Sequence, residues 1–218
     1  MKHVPNALTL LRLALAPIVA WLMWSAFTPQ VISDGTLFGG IRERIAEIAN
    51  TMTLAAVLFV IAALTDLFDG MIARAFNAHS KFGRVIDPIA DKALVGLPLI
   101  VIAVFAWSHL FIVIPIAVII SRDVIMTVAR LASSDGEGVR VSSLAKWKTA
   151  IELIVVGAFL AGLSAMFHMS ANAITAEGAS WKLWASVASY VWVGLLVLAA
   201  ALSAYTAWQY LRPSKPAS

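Results

Sequence analysis

The chain has 218 residues, of which 61% are apolar and only 13% are charged, and its mean hydropathy is +0.89. These values exclude a soluble domain of ordinary composition and predict one all-α domain, residues 1–218, embedded in a membrane. The net charge of +4 is modest, so no nucleic-acid partner is expected, and the absence of cysteine excludes disulfides and thiolate metal ligands.

The predicted elements begin with a polar segment, residues 1–7, in which Asn6 could cap the helix that follows. The apolar run over about 8–27 is long enough to span a membrane. Residues 28–47 are more polar, but apolar side chains recur there at helical spacing: Leu37, Ile41, Ile45 and Ile48. This spacing predicts either a short helix lying flat on the membrane or an amphipathic lead into the second span.

The second span, at about 49–74, and the third, at about 87–107, bring an unusual set of acids to their adjoining ends. The set comprises four carboxylates: Asp66, Asp69, Asp87 and Asp91. Asp66 and Asp69 are three residues apart, and Asp87 and Asp91 are four apart, so the two members of each pair share one helix face. Polar and small residues indicate a break between the two helices: Asn77, His79, Ser80 and Gly83. We therefore expect the four carboxylates to face one another.

Three more spans, at about 110–131, 148–169 and 181–211, complete a prediction of six transmembrane helices. Only Ser108 and His109 separate the third span from the fourth, which predicts a tight hairpin. Six spans place both termini on one side of the membrane. The other side would hold just Arg42, Arg44 and Lys182 of the 16 Lys and Arg residues. By the positive-inside rule the termini and the four acids are cytoplasmic, as in a bacterial inner membrane.

Four converging carboxylates at a membrane surface require a positive partner, because each costs about 2.5–3.5 kcal/mol to insert and they repel one another. Oxygen ligands favour Mg²⁺ or Mn²⁺ over Zn²⁺, and two ions fit the charge better than one. Gly70 and Ala73 would let a ligand approach the helix closely, and Arg74 could grip a phosphate in a forked contact. Together these residues predict a cytoplasm-facing diphosphate site.

The spacing D-x-x-D-G-x-x-A-R-x8-G-x3-D-x3-D, which runs from Asp66 to Asp91, resembles the signature of the CDP-alcohol phosphotransferase family. Each fixed position of that signature is matched here: Asp66, Asp69, Gly70, Ala73, Arg74, Gly83, Asp87 and Asp91. The resemblance implies an enzyme that binds a CDP-activated lipid with its diphosphate across two divalent ions. It also implies a homodimer.

The same resemblance implies a role for each residue of the motif. Asp66, Asp69 and Asp87 would be the chief metal ligands, while Asp91 would reach the second ion or take the proton of the attacking hydroxyl. Gly70, Ala73, Arg74 and Gly83 would bound the CDP-lipid pocket. Near the start of the chain, P-N-A-L-T-L-L-R resembles the opening of the family's phosphatidylglycerophosphate synthases. That match adds three residues to the expected lipid site: Asn6, Thr9 and Arg12.

Basic residues in and before the later spans are candidates for binding the phosphate of a small acceptor: Arg122, Arg140, Lys146 and Lys148. Their alternative interpretation is ordinary positive-inside charge. The segment L-A-K-W-K-T resembles phosphatidylglycerophosphate synthases, although Asp123 and Glu152 depart from the residues common there. These resemblances imply transfer of a phosphatidyl group from CDP-diacylglycerol to sn-glycerol 3-phosphate.

Alternatives remain at this point, and one of them is another CDP-alcohol phosphotransferase that uses a different acceptor. The segment I-S-R-D-V resembles cardiolipin synthases of the same family, which would use phosphatidylglycerol as acceptor. Acids within membrane helices also mark ion pathways, so a cation transporter is the alternative from another functional class. Transport does not explain the spacing of Gly70 and Arg74 beside the acids, and metal-dependent release of CMP would separate the two classes.

Overall fold

The computed structural model of the chain describes residues 4–28, 39–76, 81–132, 143–173 and 180–211. The regular structure in these ranges is helical throughout, in agreement with the predicted all-α class. Six helices follow one another along the chain: α1 (Val4–Phe27), α2 (Gly39–Phe76), α3 (Lys81–Phe105), α4 (Leu110–Ala132), α5 (Ser143–Ala173) and α6 (Ser180–Leu211).

Among the described residues, five of the helices contain a segment long and apolar enough to cross a membrane. The segments are Leu8–Phe27, Gly40–Thr65, Leu110–Ala129, Trp147–Ala171 and Lys182–Gln209. The prediction of a multi-pass membrane protein is therefore confirmed. A sixth crossing, by α3, stays a prediction, as does the side of the membrane on which the termini lie.

Two boundaries differ from the sequence prediction. Helix α2 runs without a break from Gly39 through the segment predicted as a flat surface helix, because residues 41–65 contain neither Gly nor Pro to interrupt it. The continuous helix favours the alternative in which the segment is an amphipathic lead into the second span. Leu37, which was part of that prediction, lies outside the described residues. Helix α3 begins at Lys81 rather than near Asp87, so the placement of Gly83 in a break was wrong. A single glycine costs a helix only about 1 kcal/mol; Asn77, His79 and Ser80 lie outside the described residues.

The tight connection between α3 and α4 is confirmed. The Ala106 N–H donates to the Ile102 carbonyl at 2.8 Å, and the His109 N–H donates to the Ala106 carbonyl at 2.8 Å. These bonds satisfy backbone groups at the end of α3 and turn the chain directly into α4. The two helices are thus held as an antiparallel pair.

Small buried side chains let the helices pack closely around one core. Helix α1 packs on α2 and α3, α2 packs on α5, and α6 packs on α4 and α5. Among the described residues, six buried alanines have no exposed surface: Ala16, Ala49, Ala55, Ala62, Ala90 and Ala199. The Trp192 indole N–H adds a polar contact, donating to the Val155 carbonyl at 2.8 Å and joining α6 to α5. This bond anchors the Trp192 side chain to the neighbouring helix.

The two ends of the bundle have different chemistry. At one end, the starts of α1, α3 and α5 meet the closing turns of α4 and α6, and buried charged residues gather there. At the other end, Arg44 near the start of α2 donates to the Thr28 carbonyl at 3.2 Å. Further in from that end, α2 and α5 are joined through Thr53, whose Oγ1 lies 2.7 Å from Ser164 Oγ and 3.1 Å from His168 Nε2.

Replacing Thr53 with Val should lower the free energy of unfolding of the detergent-solubilised protein by about 1 kcal/mol. The reason is that the contacts of the Thr53 hydroxyl with Ser164 and His168 of α5 are lost. Activity of the remaining folded protein should not change, since these contacts lie far from the charged end. Thr51→Val is the matched control, because the Thr51 hydroxyl bonds to the Glu47 carbonyl within its own helix at 2.9 Å. Equal melting temperatures for the two variants would contradict the assigned role of Thr53.

Candidate active site

Helices α2 and α3 carry the four predicted metal ligands near their adjoining ends. Asp66 and Asp69 lie in the closing turns of α2, whereas Asp87 and Asp91 lie in the second and third turns of α3. The two helices pack against each other, and helical geometry places each pair on one face as expected. The side chains of Asp66, Asp69 and Asp87 lie outside the described residues, so their convergence stays a prediction. The same holds for Gly70, Ala73, Arg74 and Gly83.

Asp91 has a partner that the sequence did not predict. The Arg12 guanidinium reaches from α1 and donates to the Asp91 carboxylate on α3. Arg12 is only 1% exposed, and Thr9, one turn earlier, is also buried. We call the four aspartates Asp66, Asp69, Asp87 and Asp91 the acid set. Because a buried guanidinium is costly without a counter-charge, the Arg12–Asp91 ion pair links α1 to this set. Contacts of Thr9 and Arg12 with a CDP-lipid stay predictions; the side chain of Asn6 is outside the described part.

A second charged group lies beside the first and joins three helices. Lys92 of α3 donates to Asp123 Oδ2 at 2.7 Å, and Arg122 donates to Asp123 Oδ1 at 2.9 Å. Lys148 of α5 donates to the same Oδ1 atom and pairs with Glu152, with 2.8 Å between Nζ and Oε1. We call these five residues the basic cluster. Arg122 also donates to Thr206 Oγ1 of α6 at 3.2 Å, which extends the contacts to a fourth helix.

The basic cluster has an excess of positive charge in a buried setting. Three cations face two carboxylates, which leaves one net positive charge. Lys148 and Glu152 are each 1% exposed, and Asp123 is 7% exposed. Within the described part of the chain, Arg122 Nε and Glu152 Oε2 have no hydrogen-bond partner. The unused Arg122 donor and the net positive charge suit an anionic ligand, whereas the Glu152 oxygen would repel one.

The sequence predicted that Arg122, Arg140, Lys146 and Lys148 bind the acceptor phosphate, and the structure describes the side chains of two of these residues. The structure brings Arg122 and Lys148 together, whereas Arg140 and the side chain of Lys146 lie outside the described residues. Lys92 was missed, although it directly follows Asp91 of the motif. Asp123 was noted only as a departure from the family pattern. A charged residue inside an apolar helix needs a counter-charge, and this requirement was the available signal for both residues.

Asp91 and Lys92 place the acid set and the basic cluster at the same level of the bundle. As consecutive residues of α3, they point about 100° apart around the helix. Asp91 faces Arg12 on α1, while Lys92 faces Asp123 on α4. A cavity of about 190 Å³ between α3 and α4 is lined by Lys92, Asp123 and Thr127 together with apolar residues. A diphosphate bound through divalent ions on the acid set and an anion bound by the basic cluster would therefore lie next to each other.

The donor chemistry of the acid set fits a hard divalent ion. The four predicted ligands offer carboxylate oxygens alone, which suit Mg²⁺ or Mn²⁺. Among the side chains that the structure describes, no group of three or more His, Asp or Glu residues is placed to hold a metal. The basic cluster, with its excess of cations, does not fit a metal. A metal would accordingly be held by the acid set.

Comparison with known proteins agrees with the sequence signature. The sequence pattern of the CDP-alcohol phosphatidyltransferase family matches residues 2–210. A protein of Cereibacter sphaeroides named CDP-diacylglycerol–glycerol-3-phosphate 3-phosphatidyltransferase is 29% identical, over 98% of this chain and 96% of its own length. A protein of the same name from Bacillus subtilis is 34% identical, over 86% of this chain and 89% of its own length.

A third relative, from Salmonella typhimurium, also bears this name and is 26% identical, over 98% of this chain and 95% of its own length. The matches thus extend well beyond the aspartate motif and include the helices that carry the basic cluster. The chain is a member of the CDP-alcohol phosphatidyltransferase family.

Proposed function

We propose that the protein transfers the phosphatidyl group of CDP-diacylglycerol to sn-glycerol 3-phosphate, releasing CMP and forming phosphatidylglycerophosphate for phospholipid biosynthesis. The observation that carries this proposal is the basic cluster, which lies one residue along α3 from the acid set. A phosphorylated acceptor needs such a cluster beside the diphosphate, and a neutral alcohol does not. The names of the full-length relatives support the same reaction.

In the proposed reaction, the acid set holds the donor and the basic cluster holds the acceptor. Asp66, Asp69 and Asp87, with Asp91, would bind about two Mg²⁺ or Mn²⁺ ions, which would neutralise the diphosphate. Gly70, Ala73, Arg74 and Gly83 would bound the CDP-lipid pocket, together with Asn6, Thr9 and Arg12. Asp91 would take the proton of the acceptor hydroxyl as its oxygen bonds to the phosphatidyl phosphorus and the bond to CMP breaks.

Positioning of the acceptor is the contribution that the described residues support most directly. Lys92, Arg122 and Lys148 come from three helices, so their charges are fixed relative to Asp91 by the packing of α3, α4 and α5. Holding the acceptor phosphate there would keep its hydroxyl close to the donor and lower the entropic cost of the encounter. Arg140 and Lys146 would add to this site.

The remaining proposals concern the setting of the enzyme. We propose six crossings of a bacterial inner membrane, with both termini and the active site cytoplasmic, because most Lys and Arg residues would then lie inside. A homodimer is proposed from the family resemblance alone. Under this topology the site faces CDP-diacylglycerol in the inner leaflet and soluble glycerol 3-phosphate in the cytoplasm.

An acceptor comparison tests the proposal. Purified protein with Mg²⁺ and CDP-diacylglycerol should release CMP when glycerol 3-phosphate is added and should form a lipid that carries a terminal phosphomonoester, identified by mass spectrometry. Phosphatidylglycerol in place of glycerol 3-phosphate should give no cardiolipin. If CMP were released only with phosphatidylglycerol, the assignment of the acceptor would be wrong and the protein would be a cardiolipin synthase.

Removal of divalent metal should abolish activity. Excess EDTA is expected to stop CMP release by about a thousandfold or more, because the diphosphate charge would no longer be neutralised. Mg²⁺ or Mn²⁺ added above the chelator concentration should restore the rate, whereas Ca²⁺, which prefers larger and more flexible coordination, should restore little of it. Undiminished CMP release in EDTA would overturn the metal-dependent reaction.

A further inference from the structure

Asp123 lies at the centre of the basic cluster. Its two carboxylate oxygens accept hydrogen bonds from Lys92, Arg122 and Lys148. Only the Arg122 contact comes from a neighbouring residue of the chain, while the other two donors reach it from α3 and α5. A phosphate group also presents several acceptor oxygens to surrounding cations. Asp123 thus makes the set of contacts that the phosphate of an incoming acceptor would need.

We propose that Asp123 is an internal substitute for the acceptor phosphate, which holds the three cations in place and releases Arg122 and Lys148 when the acceptor binds. This inference rests on the proposed function. It makes Asp123 a positioning residue: the side chain keeps like charges from repelling one another in the free enzyme. It also competes with the substrate for the same donors.

The charge balance of the cluster supports this exchange. With Asp123 and Glu152 both present, the three cations leave a net charge of one. When Asp123 gives up Arg122 and Lys148 but keeps Lys92, the two released cations face Glu152 alone, and their excess of one positive charge attracts the anionic phosphate. Arg122 Nε, which has no hydrogen-bond partner among the described residues, provides a further donor for the incoming anion.

A cavity lies beside the Asp123 side chain. The cavity of about 190 Å³ between α3 and α4 is lined by Asp123 itself and by Thr127, one turn further along α4. Lys92 lines the same cavity. A rotation of the Asp123 side chain into this space could therefore preserve its contact with Lys92 while freeing Lys148 and Arg122. The carboxylate would not be left unpaired during the exchange.

The test compares two variants that remove the same charge from different positions in the cluster. Asp123→Asn removes the negative charge at the proposed phosphate position, whereas Glu152→Gln leaves Asp123 in place. Inorganic phosphate serves as the probe, both as a competitor of glycerol 3-phosphate in CMP release and as a stabilising ligand in thermal unfolding without CDP-diacylglycerol. Asp123→Ser replaces Asp123→Asn if that variant does not purify as a folded protein, and Asp123→Glu retains the charge.

We expect Asp123→Asn to lower the inhibition constant for phosphate about tenfold relative to wild type, because a charged competitor for the same donors is removed. Glu152→Gln should lower it by less than about threefold, and Asp123→Glu should leave it near the wild-type value. The turnover number of Asp123→Asn should fall, since the cations are no longer held in register. Thermal stabilisation by phosphate should follow the same order.

Two outcomes would overturn the inference alone. If Asp123→Asn and Glu152→Gln lowered the inhibition constant for phosphate equally, only the net charge of the cluster would matter. If Asp123→Asn bound phosphate more weakly than wild type, the carboxylate would assist phosphate binding rather than compete with it. If phosphate neither competes with glycerol 3-phosphate nor stabilises the wild-type protein, the acceptor site itself is wrong. The failure of the inference and the failure of the proposed function are therefore distinguishable.

Discussion

Replacing Asp91 with Asn is expected to reduce CMP release about a thousandfold, because in the proposed mechanism the Asp91 carboxylate binds a divalent ion and accepts the hydroxyl proton, and a neutral amide would do both poorly. The Arg12–Asp91 pair adds a second effect, which is lower stability. Arg12 is almost fully buried, but the Asp91 side chain is 40% exposed, so the loss should be smaller than the roughly 3–5 kcal/mol of a fully buried pair. Rates should be measured on protein that elutes as a folded species in size-exclusion chromatography.

The control for this variant is Glu47→Gln, which breaks the exposed Arg44–Glu47 pair at the other end of the bundle. Surface pairs contribute little, so both rate and melting temperature should stay at wild-type values. A folded Asp91→Asn protein that releases CMP within tenfold of the wild-type rate would remove Asp91 from the catalytic machinery. Loss of rate with an unchanged melting temperature would instead show that Arg12 does not depend on Asp91 for stability.

Replacing Lys148 with Met should be among the most destabilising single changes in the bundle. Lys148 and Glu152 are each 1% exposed and pair at 2.8 Å, so the variant leaves Glu152 as a buried acid without its cation, at a cost of about 3–5 kcal/mol. Asp123 keeps Lys92 and Arg122 and should be affected less. The Michaelis constant for glycerol 3-phosphate should rise about tenfold or more, since one of the cations proposed to bind the acceptor phosphate is lost.

Replacing Glu152 together with Lys148 separates the effect on stability from the effect on acceptor binding. The double variant Lys148→Met with Glu152→Gln should recover most of the lost stability in thermal unfolding, because no charge is left unpaired. It should not recover the affinity for glycerol 3-phosphate. Arg42→Met, which removes an exposed cation near the start of α2, is the control for the loss of a positive charge. A double variant no more stable than the single one would show that Glu152 is not the residue left unpaired.

The elements that the sequence predicted correctly depend on local information. Apolar runs long enough to span a membrane predicted six helices, and the structure has a helix at each of them. The spacing of the motif from Asp66 to Asp91 predicted the family, which the match over residues 2–210 confirms. The placement of Gly83 in a break was wrong, because a helix continues through a single glycine when its neighbours favour it. For the polar start of α2 the sequence left two alternatives, and the structure favours the amphipathic lead.

The contacts between helices could not be predicted in the same way. Arg12 and Asp91 are 79 residues apart, and Lys92 and Asp123 are 31 apart, so these pairs become visible only once the packing of α1, α3 and α4 is known. The sequence did show that each buried charge would need a partner. It did not show which partner, and for this reason Lys92 was missed while Arg122 and Lys148 were found.

Binding of Mn²⁺ to the purified protein, measured by electron paramagnetic resonance, tests most directly whether the aspartates of α2 and α3 hold the metal. The wild-type chain should bind about two Mn²⁺ ions, with a spectrum that changes when CDP-diacylglycerol is added. Asp66→Asn and Asp87→Asn proteins that remain folded should each lose at least one ion. Equal Mn²⁺ binding by wild type and both variants, with the same spectrum, would contradict this account.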